Sequence, residues 1–96
     1  MSQLQAIQRN KQAILNIAHA HGLLNVRIFG SVARGEDTPN SDIDFLVDLE
    51  TGCSLLDIGG ALIQLEQLLE RKVDIVTERG LHWYLREKIL NEAQSL

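Results

Sequence analysis

Two short motifs in the first half of the chain combine residue types that handle phosphate groups and divalent metal ions. Gly30 and Ser31 are followed, after ten intervening residues, by Asp42-Ile43-Asp44. Side chains two positions apart in a strand project from the same face, so Asp42 and Asp44, with Cα atoms roughly 7 Å apart, are expected to reach one cluster of cations. Gly30 lets the backbone approach a phosphate closely, and the amides and hydroxyl that follow can donate to its oxygens. The pair of motifs predicts a phosphoryl-transfer site.

The surrounding pattern predicts seven elements that would position these motifs. They are a helix at 3–21, a strand at 24–29, a short helix at 31–35, a strand at 42–49, a helix at 55–70, a strand at 73–76 and a helix at 81–93. Ser2 is the expected N-cap of the first helix, and Ser54 with Asp57 fits a capping pattern for the helix at 55–70. The predicted fold class is α/β (α+β), a small mixed β-sheet flanked by helices.

A third carboxylate, Asp74, is expected beside the first two. The first two strands must run antiparallel to bring Ser31 near Asp42, and the long helix after the second strand allows a parallel crossover that places Asp74 beside Asp44. Two like charges about 4 Å apart repel by roughly 4 kcal/mol at an effective dielectric constant of about 20, so such a cluster needs protons or cations. Mg²⁺ suits these oxygen ligands, and two such ions would support an in-line displacement at phosphorus. Asp74 would also help to deprotonate the incoming hydroxyl.

Several other residues have two interpretations. Arg34 is a candidate for phosphate contact, with a surface pair to Glu36 or Asp37 as the alternative. Arg79 is better explained as a surface residue than as a ligand of a triphosphate. Trp83 is expected on the face of the last helix opposite an inward Leu85, where it would suit a protein interface or pack against the first helix.

The run GSVARGEDTPNSDIDFLVDL, followed by VDIVT, resembles the polymerase β nucleotidyltransferase superfamily and, within it, the minimal nucleotidyltransferase (MNT) family. The likeness extends over nearly the whole chain. It implies the polymerase β-like nucleotidyltransferase fold, nucleotide binding by Gly30 and Ser31, metal binding by Asp42 and Asp44, and a third catalytic acid at Asp74.

The resemblance also implies a biological role. MNT proteins of this size are commonly antitoxins encoded beside a HEPN-domain ribonuclease toxin, and members transfer AMP from ATP to a tyrosine of that toxin. Two alternatives stay open: an antitoxin that acts only by binding the HEPN partner, and a nucleotidyltransferase with a small-molecule acceptor. The chain's length favours a protein acceptor, because residues 1–96, interpreted as a single domain, leave no room for a second substrate-binding domain.

Net charge, apolar content and cysteine count argue against several other classes of protein. A net charge of −4 argues against direct nucleic-acid binding. The sequence has no apolar run long enough to span a bilayer and no signal-peptide pattern, so we expect a cytoplasmic protein without membrane attachment. The single cysteine, Cys53, excludes an internal disulfide, and homo- or hetero-oligomers remain open.

Overall fold

Five helices, one 3₁₀ turn and four strands make up the part of the chain that the computed structural model describes, residues 3–96. The predicted N-cap Ser2 lies outside those residues. The elements are α1 Gln3–Arg9, α2 Lys11–Ala20, β1 Leu23–Phe29, α3 Gly30–Arg34, β2 Ile43–Leu49, α4 Leu55–Leu69, β3 Val73–Thr77, the 3₁₀ turn Glu78–Gly80, α5 Trp83–Glu92 and β4 Gln94–Ser95.

The strands form one mixed sheet in the order β3-β2-β1-β4. The predicted arrangement is confirmed, because β1 pairs antiparallel with β2 and β2 pairs parallel with β3. The edge strand β4, which pairs antiparallel with β1, was not predicted. Helix α4 makes the crossover between the two parallel strands.

The predicted helix at 3–21 is two helices, separated at Asn10. Its side-chain Nδ2 donates to the carbonyl oxygen of Ala6 at 2.8 Å, and its backbone N–H is shared between the carbonyls of Ala6 and Ile7. An asparagine side chain that bonds to the backbone four residues earlier competes with regular helix geometry. The apolar spacing continues through the break, which is why periodicity alone did not reveal it.

The hydrophobic core lies on one face of the sheet. Helix α2 packs against β1, α4 packs against β3, and the two helices contact each other. The largest buried side chains of this core are those of Phe45, Ile7, Ile14, Leu23, Ile28, Ile43 and Leu65. Helix α4 begins with the expected capping box, in which the Ser54 N–H donates to Asp57 and the Leu56 N–H donates to Ser54.

Two positions of α4 have surroundings that the apolar spacing of the helix does not reveal. Leu55 at its start is 82% exposed. Gly60 lies against the imidazole of His21, where an added Cβ would come within 2.8 Å of the ring.

Helix α5 lies at the periphery and buries none of its residues. Leu85 was predicted to face inward and is 41% exposed, while Trp83 is 82% and Tyr84 61% exposed. The interpretation in which Trp83 packs against the first helix is therefore wrong. None of the helices within residues 3–96 combines the length and the apolar character needed to cross a bilayer.

Candidate active site

Gly30 and Asp44 form the centre of the candidate site. Phe29 pairs with Asp44 across the antiparallel ladder, so the turn at the end of β1 lies beside the start of β2. Gly30 has φ +78°, a conformation that side chains disfavour. An added Cβ would overlap Asp44 Oδ2 and lie 3.1 Å from its Cγ. Only glycine therefore allows the carboxylate to contact this turn.

The other two predicted carboxylates lie next to Asp44. Asp74 is its partner in the parallel β2–β3 ladder and shares its face of the sheet, opposite the helical layer. Asp42, predicted as the first residue of the strand, lies one residue before β2, and both Asp42 and Asp74 are exposed. The strand pairing therefore places Asp74 beside Asp44 as expected, with Asp42 just before the start of the same strand.

The electrostatics of this edge are unfavourable to a charged Asp44. Partial burial, followed by the nearby charges of Asp74 and Asp42, raises the pKa of Asp44 from 3.8 to about 6, while Arg34 opposes the rise. A cation would relieve this repulsion.

The donor set fits Mg²⁺ as an open site. Within residues 3–96 no three Asp, Glu, His or Cys side chains are already assembled as a metal cluster. Mg²⁺ is usually held by one or two carboxylates with waters and substrate phosphates, so it does not require a preassembled protein cage. The two exposed aspartates and the partly buried one match that mode of binding.

Sequence reasoning missed one residue at this site, Glu92 at the end of α5. Its Oε1 accepts from the Gly30 N–H at 2.9 Å, and its Oε2 pairs with Arg34 Nη1 at 3.0 Å. Arg34 also makes the surface pair with Glu36 that was considered from the sequence, with Nε 3.1 Å from Oε2. A glutamate 62 positions from the glycine it contacts gives no signal in local sequence.

The chain has relatives among known proteins in both sequence and structure. Residues 11–96 match the model of a family described as the nucleotidyltransferase domain. The chain belongs to this nucleotidyltransferase family. A protein of Methanocaldococcus jannaschii named a "putative protein adenylyltransferase" is 42% identical over 87 residues, covering 91% of this chain and 94% of the relative.

Two solved structures share the fold of this nucleotidyltransferase. One, named a "putative minimal nucleotidyltransferase", superposes with a TM-score of 0.89 at 47% identity and covers 100% of this chain and 97% of its own. The other is a tri-AMPylated HEPN toxin of Shewanella oneidensis in complex with its MNT antitoxin. Its superposition on this protein has a TM-score of 0.69 at 20% identity and covers 92% of this chain and 69% of that chain. This likeness shows the fold alone. The predicted family, fold class and nucleotidyltransferase activity are confirmed.

Residues at the far end of the nucleotidyltransferase sheet do not join the site. Arg79, with Glu50 and Cys53, lines a cavity of about 560 Å³ beyond the C-terminal ends of β2 and β3, whereas Asp44 lies at their start. This position favours the interpretation of Arg79 as a surface residue. Asp48 is half-exposed and pairs with the buried Arg27 at 3.3 Å.

Proposed function

We propose that this nucleotidyltransferase is a Mg²⁺-dependent protein adenylyltransferase that transfers AMP from ATP to a tyrosine of a HEPN-domain toxin and thereby neutralises it. The observation that carries the proposal is the contact between the Gly30 turn and the Asp44 carboxylate, with Asp74 beside it in register. Such a site offers hydrogen-bond donors for phosphate groups and ligands for metal ions within one small surface.

In this proposal the turn at Gly30 and Ser31 binds the phosphates of ATP: Gly30 lets the backbone approach them closely, and Ser31 donates from its amide and hydroxyl. Arg34 contributes charge-assisted hydrogen bonds to the same phosphates. Asp42, Asp44 and Asp74 would hold Mg²⁺, which supplies electrostatic stabilisation of the charge that develops on the phosphoryl oxygens. Asp74 is exposed, so an acceptor from outside the chain can reach it.

The reaction forms one bond and breaks one. The oxygen of the tyrosine hydroxyl attacks the α-phosphorus of ATP, the bond from that phosphorus to the oxygen bridging to the β-phosphate breaks, and pyrophosphate leaves with the bonding electron pair. Asp74 accepts the hydroxyl proton. The products are an AMP-tyrosine phosphodiester and pyrophosphate.

The exposed side chains of α5 support a protein acceptor. Trp83 and Tyr84, whose rings are 5.8 Å apart, expose most of their surface on the helix that ends at Glu92 beside the site. Clustered exposed aromatic residues are typical of protein interfaces. The Methanocaldococcus jannaschii relative is named a putative protein adenylyltransferase, and the solved complex that shares the fold contains an AMPylated HEPN toxin. Both agree with a protein acceptor.

The test uses the parent protein with Mg²⁺, ATP and the product of the neighbouring gene, followed by intact-mass and peptide analysis of that partner. We expect a mass gain equal to one or more AMP units, located on tyrosine and abolished by EDTA. An unmodified but neutralised partner would indicate an antitoxin that acts by binding alone. Modification of an added aminoglycoside instead would identify a small-molecule acceptor.

A further inference from the structure

The C-terminal segment of the chain holds α3 at both ends. Strand β4 pairs antiparallel with β1, with Gln94 opposite Ile28, and the same register continued toward α5 brings Glu92 opposite Gly30. The Gly30 N–H donates to Glu92 Oε1 at 2.9 Å, and Gln94 Nε2 donates to the carbonyl oxygen of Ala33 at 2.9 Å. The turn proposed to bind phosphate is thus attached to a segment far away in sequence.

Glu92 also fixes the guanidinium of Arg34. Of the two carboxylates that pair with Arg34, Glu92 has a side chain 16% exposed and Glu36 one that is 66% exposed. The shielded pair is the less screened by solvent and salt, so Glu92 is the stronger partner. Arg34 uses Nε and one N–H of Nη1 in these contacts, which are two of the five N–H groups of its guanidinium. Its remaining N–H groups are available to an anion.

The pairing also limits the negative charge that Glu92 brings to the site. Burial alone would raise the pKa of Glu92, but the hydrogen bond from Gly30 and the pair with Arg34 outweigh burial and lower the pKa below its ordinary value. Glu92 is therefore ionised at neutral pH and compensated by Arg34.

We propose that Glu92 is a positioning residue for the phosphates of the nucleotide, an inference that rests on the proposed function. It holds the Gly30 amide and the Arg34 guanidinium on one carboxylate, and so keeps the turn and the free N–H groups of Arg34 in place before ATP binds. A preorganised site loses less conformational freedom on binding, so Glu92 strengthens nucleotide binding. The Glu92 carboxylate contacts Gly30 and Arg34, so in this proposal it acts on nucleotide binding and not on the chemical step.

The test compares Glu92→Gln with Glu87→Gln. The first keeps the size of the side chain and an acceptor for the Gly30 N–H but loses the ion pair; the second removes one charge from an exposed position of the same helix. Binding is measured by calorimetry with Mg²⁺ and α,β-methylene-ATP, whose α–β linkage resists transfer. We expect E92Q to bind about tenfold more weakly and to raise the KM for ATP about tenfold, with kcat within about twofold of the parent. E87Q should match the parent.

A double-mutant cycle separates positioning from a general loss of stability. In an Arg34→Ala background, E92Q should weaken binding by less than about twofold, because the group that it orients is gone. Parent-like or tighter binding by E92Q, or an equal loss in both backgrounds, would overturn the inference while leaving the proposed function intact. A parent protein that binds no nucleotide would overturn both.

Discussion

Replacing Asp44 by asparagine is expected to abolish nucleotide transfer and, at the same time, to stabilise the fold at neutral pH. The pKa of Asp44 rises from 3.8 to about 6 in the folded protein, through partial burial first and then the charges of Asp74 and Asp42. A carboxyl group with a higher pKa in the folded state binds its proton more tightly there, so its ionisation opposes folding. The free energy of unfolding therefore falls as pH rises through the interval between those two values.

The size of this effect follows from the same interval. The difference between 3.8 and about 6 is equivalent to about 3 kcal/mol at full weight. Asp44 is only partly buried, and solvent screening reduces the figure to about 1.5 kcal/mol. Asparagine has nearly the same volume and no charge, so it removes this cost without leaving a cavity. For a domain of about 100 residues, the gain corresponds to a Tm higher by about 5 to 10 °C.

Urea unfolding of the metal-free proteins in EDTA measures the prediction. At pH 7.5 we expect D44N to be more stable than the parent by about 1.5 kcal/mol, with a difference that shrinks toward zero below about pH 4, where both states of the parent are protonated. Glu87→Gln, which removes the same charge from an exposed site, should show no such pH dependence. Equal stability of D44N and the parent at pH 7.5, or a difference that is the same at every pH, would refute the electrostatic argument.

Three further substitutions test how the site is built. Gly30→Ala and Gly35→Ala both place a side chain at positive φ, and each should destabilise the fold by about 1 to 2 kcal/mol. Only Gly30→Ala displaces the Asp44 carboxylate, so it alone should reduce transfer by about a hundredfold in a radiolabelled-AMP assay. Equal losses of transfer in the two variants would contradict this. Arg71→Ala removes the guanidinium that donates to the carbonyl oxygen of Ser41 at 2.5 Å, next to Asp42. The Mg²⁺ concentration for half-maximal transfer should therefore rise about tenfold at unchanged maximal rate, and an unchanged Mg²⁺ requirement would exclude this role.

The parts of the fold that the sequence predicted are those with local signals. The turn at Gly30, the capping box at Ser54 and the alternation along β2 each depend on neighbours a few residues away. The unpredicted parts depend on distant contacts. Strand β4 has two residues, too few for a period, and it forms only because its backbone pairs with β1. Glu92 follows from that pairing, so its place in the site could not be recognised without the register.

The placement of the carboxylates proposed to bind metal, by contrast, follows from the core. Along β2, Ile43, Phe45 and Val47 are buried against the helical layer, and Asp44 lies between them on the other face. A slip of one residue in the pairing would bury the carboxylates and expose the core, which is far more costly than the charge repulsion at the site. The hydrophobic residues therefore fix the register, and the register holds Asp44 against Gly30 and beside Asp74 even though its ionisation opposes folding.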